Sequence, residues 1–117
     1  MTCALNLTMI LALILAGGAD VGVNYEGTWV SEIDEQCTAV INQSGQDTFT
    51  VTESCRGNEA VGMGYLQGDE LLLVAKYTTQ DKGEFQRIIL LRDNQLFVIA
   101  MNVHGEIRWR STMRKLD

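Results

Sequence analysis

Few residues of this sequence have the types and spacing that catalysis or metal binding would need. His104 is the single histidine, and it precedes Gly105 in a stretch that predicts a turn. A general base or an activated nucleophile needs a positioned partner, and no Ser-His-Asp or Cys-His arrangement can be assembled around this side chain. The segment Gly62–Gly68 is rich in glycine but lacks the lysine and the following helix of a phosphate-binding loop. We therefore expect no enzyme activity, no cofactor and no bound metal ion.

The cysteines predict a disulfide in preference to a metal or redox pair, because the chain has a single histidine and no C-x-x-C motif. The turn-rich segment Ser44–Asp47 separates two strand-like runs, and a hairpin centred on Gln46 places Cys37 opposite Cys55. The same register gathers apolar residues on one face and threonines on the other. A one-residue slip would break both features, so we predict the bond Cys37–Cys55.

The N-terminal segment predicts a secretory signal. An apolar run, residues 9–16, is followed by Gly17-Gly18-Ala19 and then Asp20. Cleavage after residue 19 would remove Cys3 and leave residues 20–117 as a single domain with no free thiol, secreted or periplasmic. The alternative is a membrane anchor or a buried helix. The apolar run is much shorter than the roughly 20 residues of a spanning helix, so we expect no membrane contact after cleavage.

The mature chain predicts an all-β domain. Strand-like runs recur at even, short spacing, separated by Gly, Asn and Asp in a chain without proline. The short connections favour an up-and-down antiparallel meander of about eight strands, closed into a small barrel. The net charge of -6 disfavours nucleic acid as a partner. The predicted strands are residues 25–32, 36–43, 47–55, 60–66, 70–77, 84–91, 95–103 and 106–112.

Two segments at opposite ends of the mature chain carry a family resemblance. Gly27-Thr28-Trp29 begins the first predicted strand, and Arg108-Trp109-Arg110 lies in the last. This layout resembles the lipocalin-like, or calycin, barrels. The resemblance implies that Gly27 and Trp29 form the floor of the barrel, and that Arg108 or Arg110 lies over the indole as a cation–π partner.

Four residues are candidates for lining a ligand site. Glu53 and Arg87 interrupt apolar alternations, and inside a barrel such groups must pair or face a polar ligand; edge or mouth positions explain them equally well. Gly62 and Gly64 would leave space for a ligand, with a bend at a barrel corner as the other interpretation.

The later strands are apolar on both faces, although only one face can fill a barrel. The two alternating sets are Leu71, Leu73, Ile89, Leu91, Phe97, Ile99 and Leu72, Val74, Ile88, Leu90, Leu96, Val98. The sequence leaves open which set points outward. We expect a homo-oligomer built on this wall, with coverage by the N-terminal segment or a loop as the alternative. The candidate interface residues are Leu72, Val74, Ile88, Leu90 and Val98.

These features together predict an exported, non-catalytic binding module that holds a small apolar ligand or a protein partner. The alternative is a secreted or periplasmic inhibitor or immunity-type protein, because an acidic surface on a disulfide-braced scaffold would suit a cationic enzyme.

Overall fold

Eight antiparallel strands form a closed barrel in the computed structural model, which describes residue 22 and residues 24–78 and 82–116. Each strand pairs with the next along the chain, and β8 pairs with β1 to close the barrel. The structure thus confirms the predicted all-β, up-and-down meander. The strands are β1 (Gly27–Ser31), β2 (Cys37–Gln43), β3 (Thr48–Cys55), β4 (Asn58–Gln67), β5 (Glu70–Tyr77), β6 (Gly83–Leu91), β7 (Gln95–Met101) and β8 (Ile107–Lys115).

Tight turns connect neighbouring strands, and their residue types explain the conformation. Arg56 and Gly57 join β3 to β4 with positive φ at both positions, as a two-residue hairpin turn requires. Gly68 begins the two-residue connection from β4 to β5 with a φ of 68°. Because these connections are short, each strand pairs with the next one along the chain, which makes the sheet an up-and-down meander.

The β2–β3 hairpin has the register predicted from the cysteines. Cys37 lies opposite Cys55 and the two are disulfide-bonded, while Ile41 faces Val51 and Gln43 faces Phe49. A loop of this size is expected to stabilise the fold by about 3 kcal/mol through restriction of the unfolded chain. A disulfide is also typical of an oxidising, extracellular-type compartment.

Alternate residues of each strand point into the barrel and make one core. Among these side chains, the largest that are completely buried are Trp29 and Phe49. The outer face of β2 and β3 is rich in threonine and exposed, so the inside-outside assignment predicted for this hairpin is confirmed. The inward apolar residues include Ala39, Ile41, Val51, Ala60, Leu71, Leu73, Ala75, Ile88, Leu96, Val98 and Met113.

A helical turn that includes Gly22, Asn24 and Tyr25 precedes β1 and seals one end of the barrel. Strand pairing begins at Gly27, so the prediction of a strand from residue 25 was two residues early. Gly22 packs near Phe49 and Leu66. The turn therefore packs against the core of the barrel.

The predicted signal segment, residues 1–19, lies outside the described residues, and so does Cys3. Within the described part of the chain, no helix has the length and apolar character needed to span a bilayer.

Candidate functional site at the open end of the barrel

The two ends of the barrel differ in how they are filled. We call the end next to Tyr25 the closed end and the end next to the disulfide the open end. At the closed end the Tyr25 hydroxyl lies 2.8 Å from the carbonyl oxygen of Asp69 and accepts the N–H of Leu90 at 3.1 Å. The indole N–H of Trp29 donates to the carbonyl oxygen of Tyr25 at 3.0 Å. Burial raises the pKa of Tyr25 to about 12, so the hydroxyl stays protonated and can serve in this seal.

The open end contains a cavity of about 430 Å³, within the size range of small-molecule sites. Its wall is mainly apolar and aromatic, with polar groups at the bottom and at the rim. A second cavity of about 310 Å³ adjoins it and shares Asn58, Tyr77 and Trp109. The lining of the larger cavity includes Ser31, Ala39, Glu53, Ala60, Tyr77, Trp109, Arg110, Ser111 and Met113.

Small inward residues create this space. Toward the open end, β2, β5 and β7 each carry a buried inward alanine, Ala39, Ala75 and Ala100 respectively. The next inward positions toward the closed end carry larger side chains, namely Ile41, Leu73 and Val98. The change in side-chain volume along the same strands leaves one end of the barrel packed and the other hollow.

A polar cluster lies at the bottom of the open end. The amide nitrogen of Gln86 donates to Glu53 Oε1 at 2.9 Å and to Glu84 Oε1 at 3.0 Å, and the Tyr77 hydroxyl donates to the same Glu84 oxygen at 3.2 Å. Glu84 and Gln86 are buried, while Glu53 is half-buried. We call these four residues, Glu53, Tyr77, Glu84 and Gln86, the acidic cluster.

The surroundings of the acidic cluster disfavour the negatively charged forms of Glu53 and Tyr77. Burial raises the pKa of Glu53 to about 7; the hydrogen bond from Gln86 opposes the rise, and the charge of Glu84 adds to it. Burial also raises the pKa of Tyr77, with Glu84 contributing. Near neutral pH, Glu53 is therefore close to the midpoint of its titration and can gain or release a proton.

The rim of the cavity carries the exposed charges. Arg56 Nε and Asp34 Oδ2 are 2.6 Å apart, and this contact holds the pKa of Asp34 below its usual range. Arg110 is exposed at the same rim. His104 is exposed in the β7–β8 turn, where its backbone N–H donates to Asn102 Oδ1 at 2.9 Å, as the turn prediction implied.

One grouping of potential metal ligands occurs among residues 22, 24–78 and 82–116: Asp34 with Cys37 and Cys55. Both sulfur atoms are committed to the disulfide, so this grouping does not offer thiolates to a metal.

The residues of the predicted barrel floor lie near the closed end, with a different cation over the indole. Trp29 is completely buried and Gly27 lies beside it, but the cation over the indole is Lys115, whose Nζ is 5.6 Å from the ring centroid. Gly27 has a φ of 143°, and a β-carbon there would meet the Lys115 side chain, so the glycine makes room for this contact. The assignment of Arg108 or Arg110 was wrong. Trp29 pairs with Lys115 on β8, and Arg110 lies five residues earlier, about 16 Å away along a strand.

Three of the four candidate ligand-lining residues do not line the cavity. Gly62 and Gly64 point inward, but a β-carbon at Gly62 would lie 2.5 Å from the carbonyl oxygen of Val74, and the space beside both is filled by Leu71 and Leu73. Close approach of the neighbouring strand therefore explains these glycines.

Arg87 faces outward, where its guanidinium forms two 3.0 Å hydrogen bonds with Glu70 and holds the pKa of that carboxyl low. Glu53 alone among the four faces the cavity.

The candidate interface residues divide between the two faces. Val74 is 56% exposed and Leu72 shares its outward face, but Ile88 and Val98 are buried inside and Leu90 packs against the core. The β5–β6 ladder pairs Leu71 with Ile88, so odd-numbered residues of β5 share a face with even-numbered residues of β6. The sequence prediction had placed the even-numbered residues of both strands on the same face. A difference of one residue in the register between two strands moves every side chain of one strand to the opposite face.

The sequence prediction missed Tyr77, Glu84, Gln86 and Trp109 as site residues. A signal was present at the start of β6, where Glu84 and Gln86 alternate with Phe85 and Arg87. Ordinary amphipathic patterning assigns the polar set to solvent, and here it lies inside. The pairing of β6 with β5 shows that Glu84 and Gln86 share the inward face of the sheet.

No protein-family model matches the chain, and neither does any of the curated proteins or solved structures compared with it. The resemblance to lipocalin-like barrels stays a prediction from the segments Gly27-Thr28-Trp29 and Arg108-Trp109-Arg110. The closed eight-stranded barrel itself is a property of the structure.

Proposed function

We propose that this protein is an exported, non-catalytic binding module that holds a small, largely apolar ligand in the open end of its barrel. The observation that carries the proposal is the cavity of about 430 Å³ in a barrel whose other end is sealed by Tyr25. A concave, mostly apolar site with a few convergent polar groups is the usual form of a small-molecule site. The disulfide at the rim supports export, because such bonds persist in oxidising compartments.

Trp109 provides an intrinsic reporter for the test. It lines the cavity, whereas the other indole, Trp29, is buried near the closed end. Titration of the Trp29→Phe variant with the neutral fluorescent probe N-phenyl-1-naphthylamine should give saturable, one-to-one energy transfer from Trp109. The absence of saturable binding would contradict the proposal.

A pair of neighbouring substitutions localises the binding. Ala60 lines the cavity and is buried, and the adjacent Val61 is 49% exposed on the outer face. Ala60→Phe should weaken probe binding at least about tenfold by filling the cavity, while Val61→Phe should leave it unchanged. Equal effects of the two variants would place the probe elsewhere.

The outer wall supports a second proposal, a contact between copies of this chain. Met63, Val74, Phe85 and Met101 form an unbroken apolar row across β4, β5, β6 and β7, because each is the ladder partner of the next. Met63 is 66% exposed. Rows of exposed apolar side chains are unusual on monomers, and a symmetric dimer is the simplest way to cover them.

Sedimentation equilibrium tests this contact. The wild-type protein should dissociate on dilution from a dimer, and Val74→Lys should be monomeric with an unchanged fold. Asn42→Lys adds the same charge to the exposed outer face of β2 and should leave the dimer intact. A wild-type protein that is monomeric at high micromolar concentration would overturn the proposal.

A further inference from the structure

The acidic cluster offers acceptors without a matching cation. Glu53 and Glu84 converge on the amide of Gln86, with Glu84 also accepting from Tyr77. Among residues 22, 24–78 and 82–116, no Lys or Arg forms a salt bridge with either carboxylate. Buried carboxylates are normally paired with a positive group or held neutral, because desolvation of an isolated charge is costly.

An unsatisfied acceptor lies in the same cluster. Gln86 is 1% exposed, and in the described part of the chain its Oε1 has no hydrogen-bond partner. The amide nitrogen is already shared between the two carboxylates, so the cluster has used its donors and still has a free oxygen. Buried acceptors are nearly always satisfied, and a ligand that brings N–H donors would supply what is missing.

The cavity walls above the cluster suit the body of such a ligand. Trp109 and Tyr77 line both cavities, and Met113, Ala39 and Ala60 complete an apolar surface around the larger one. Aromatic faces attract organic cations, and small apolar side chains accommodate a hydrocarbon portion.

We propose, on the basis of the ligand-binding function proposed above, that the open end selects a small organic cation, a primary ammonium or guanidinium on an apolar body. Its N–H groups donate to Glu53, in the lining of the larger cavity, and to Glu84, in the lining of the adjoining one, and they approach the free oxygen of Gln86, which is buried behind these linings. Its apolar portion lies against Trp109 and Met113. The two carboxylates give the site its charge selectivity, and the hollow above them admits the tail.

Three eight-carbon probes with different head groups separate this inference from the general binding function: n-octylammonium, 1-octanol and octanoate. Isothermal titration calorimetry of the purified disulfide-bonded protein at pH 8 should show octylammonium binding at least about tenfold more tightly than octanol, and octanoate most weakly. Equal affinities for the three probes, or a preference for octanoate, would overturn charge selection while leaving ligand binding intact. No binding of any probe would count against the binding function itself.

Matched carboxylate-to-amide variants identify the selecting groups. Glu53→Gln and Glu84→Gln should each weaken octylammonium binding at least about tenfold and leave octanol binding unchanged. Glu70→Gln removes the same charge from a half-buried position on the outer wall, and it should leave all three affinities unchanged. A loss of octylammonium affinity in Glu70→Gln equal to that in Glu53→Gln would show a net-charge effect and would contradict the assignment to the acidic cluster. Circular dichroism establishes that each variant is folded.

Discussion

At the closed end of the barrel, the buried polar atoms of the Tyr25 and Trp29 side chains all have partners. At the open end the amide nitrogen of Gln86 donates to two carboxylates, but its oxygen has no partner among the described residues. The strands are the same at both ends, and the side chains differ. Large inward residues and a helical turn fill the first end, and alanines leave the second hollow. A small barrel can thus concentrate its stability at one end and its chemistry at the other.

Substitution of each tryptophan by alanine should give the largest difference between the two ends in the free energy of unfolding. Trp29→Ala should lower the free energy of unfolding by about 3–5 kcal/mol, because the indole is completely buried and its removal leaves a cavity. Trp109→Ala should cost less than about 2 kcal/mol, because Trp109 is half-buried beside an existing cavity. Urea melts give both values. Equal losses would mean that the open end is as tightly packed as the closed end.

Removal of a tyrosine hydroxyl at each end should give a smaller difference in the free energy of unfolding. Tyr25→Phe should cost about 1–3 kcal/mol, because the Leu90 N–H loses its acceptor and the carbonyl oxygens of Asp69 and Ile88 lose the single hydroxyl proton within their reach. Tyr77→Phe should cost less than about 1 kcal/mol, because its bond to Glu84 faces a cavity that water can enter. Denaturant midpoints of the two variants measured together decide the matter, and a larger loss in Tyr77→Phe would reverse the comparison.

The pH dependence of stability should identify the open end as the electrostatically costly one. Burial raises the pKa of Glu53 to about 7 from an ordinary value of 4.5, so the folded state binds a proton that the unfolded state has released. The stabilisation from this proton is fully present below about pH 4.5 and is lost as the pH rises through 7. The change is on the order of 1–3 kcal/mol.

Glu53→Gln should abolish this decline, because the amide does not ionise. Its thermal midpoint should equal or exceed that of the wild type at pH 8, while Glu70→Gln should retain the wild-type slope between pH 5 and pH 8. A wild-type stability that rises across this range, with no difference in Glu53→Gln, would show that Glu53 ionises freely in the fold.

Much of the fold could be predicted because its signals are local. The turn residues marked the strand boundaries to within a few positions, and the two cysteines fixed one hairpin register, from which the faces of β2 and β3 followed. Glu53 was found as a site candidate for the same reason, since its phase relative to Cys55 was known.

The rest of the site depends on registers that the sequence does not state. Glu84 and Gln86 lie inside because the β5–β6 ladder pairs Leu71 with Ile88, and the intervening connection could equally have given the opposite phase. Lys115 lies over Trp29 because β8 closes onto β1, a long-range pairing set by the whole barrel. Local patterns predict strands and turns. The register between strands that are far apart in the sequence determines which side chains come into contact.

Entry of ligands at the open end is tested most directly by amide chemical shifts in two-dimensional NMR during titration with n-octylammonium. The largest shifts should map to Ala39, Glu53, Ala60, Tyr77 and Trp109, while the amides of Tyr25 and Trp29 stay unchanged. Shifts concentrated around Tyr25 and Trp29, or spread along the outer wall at Met63 and Val74, would contradict a binding site at the open end.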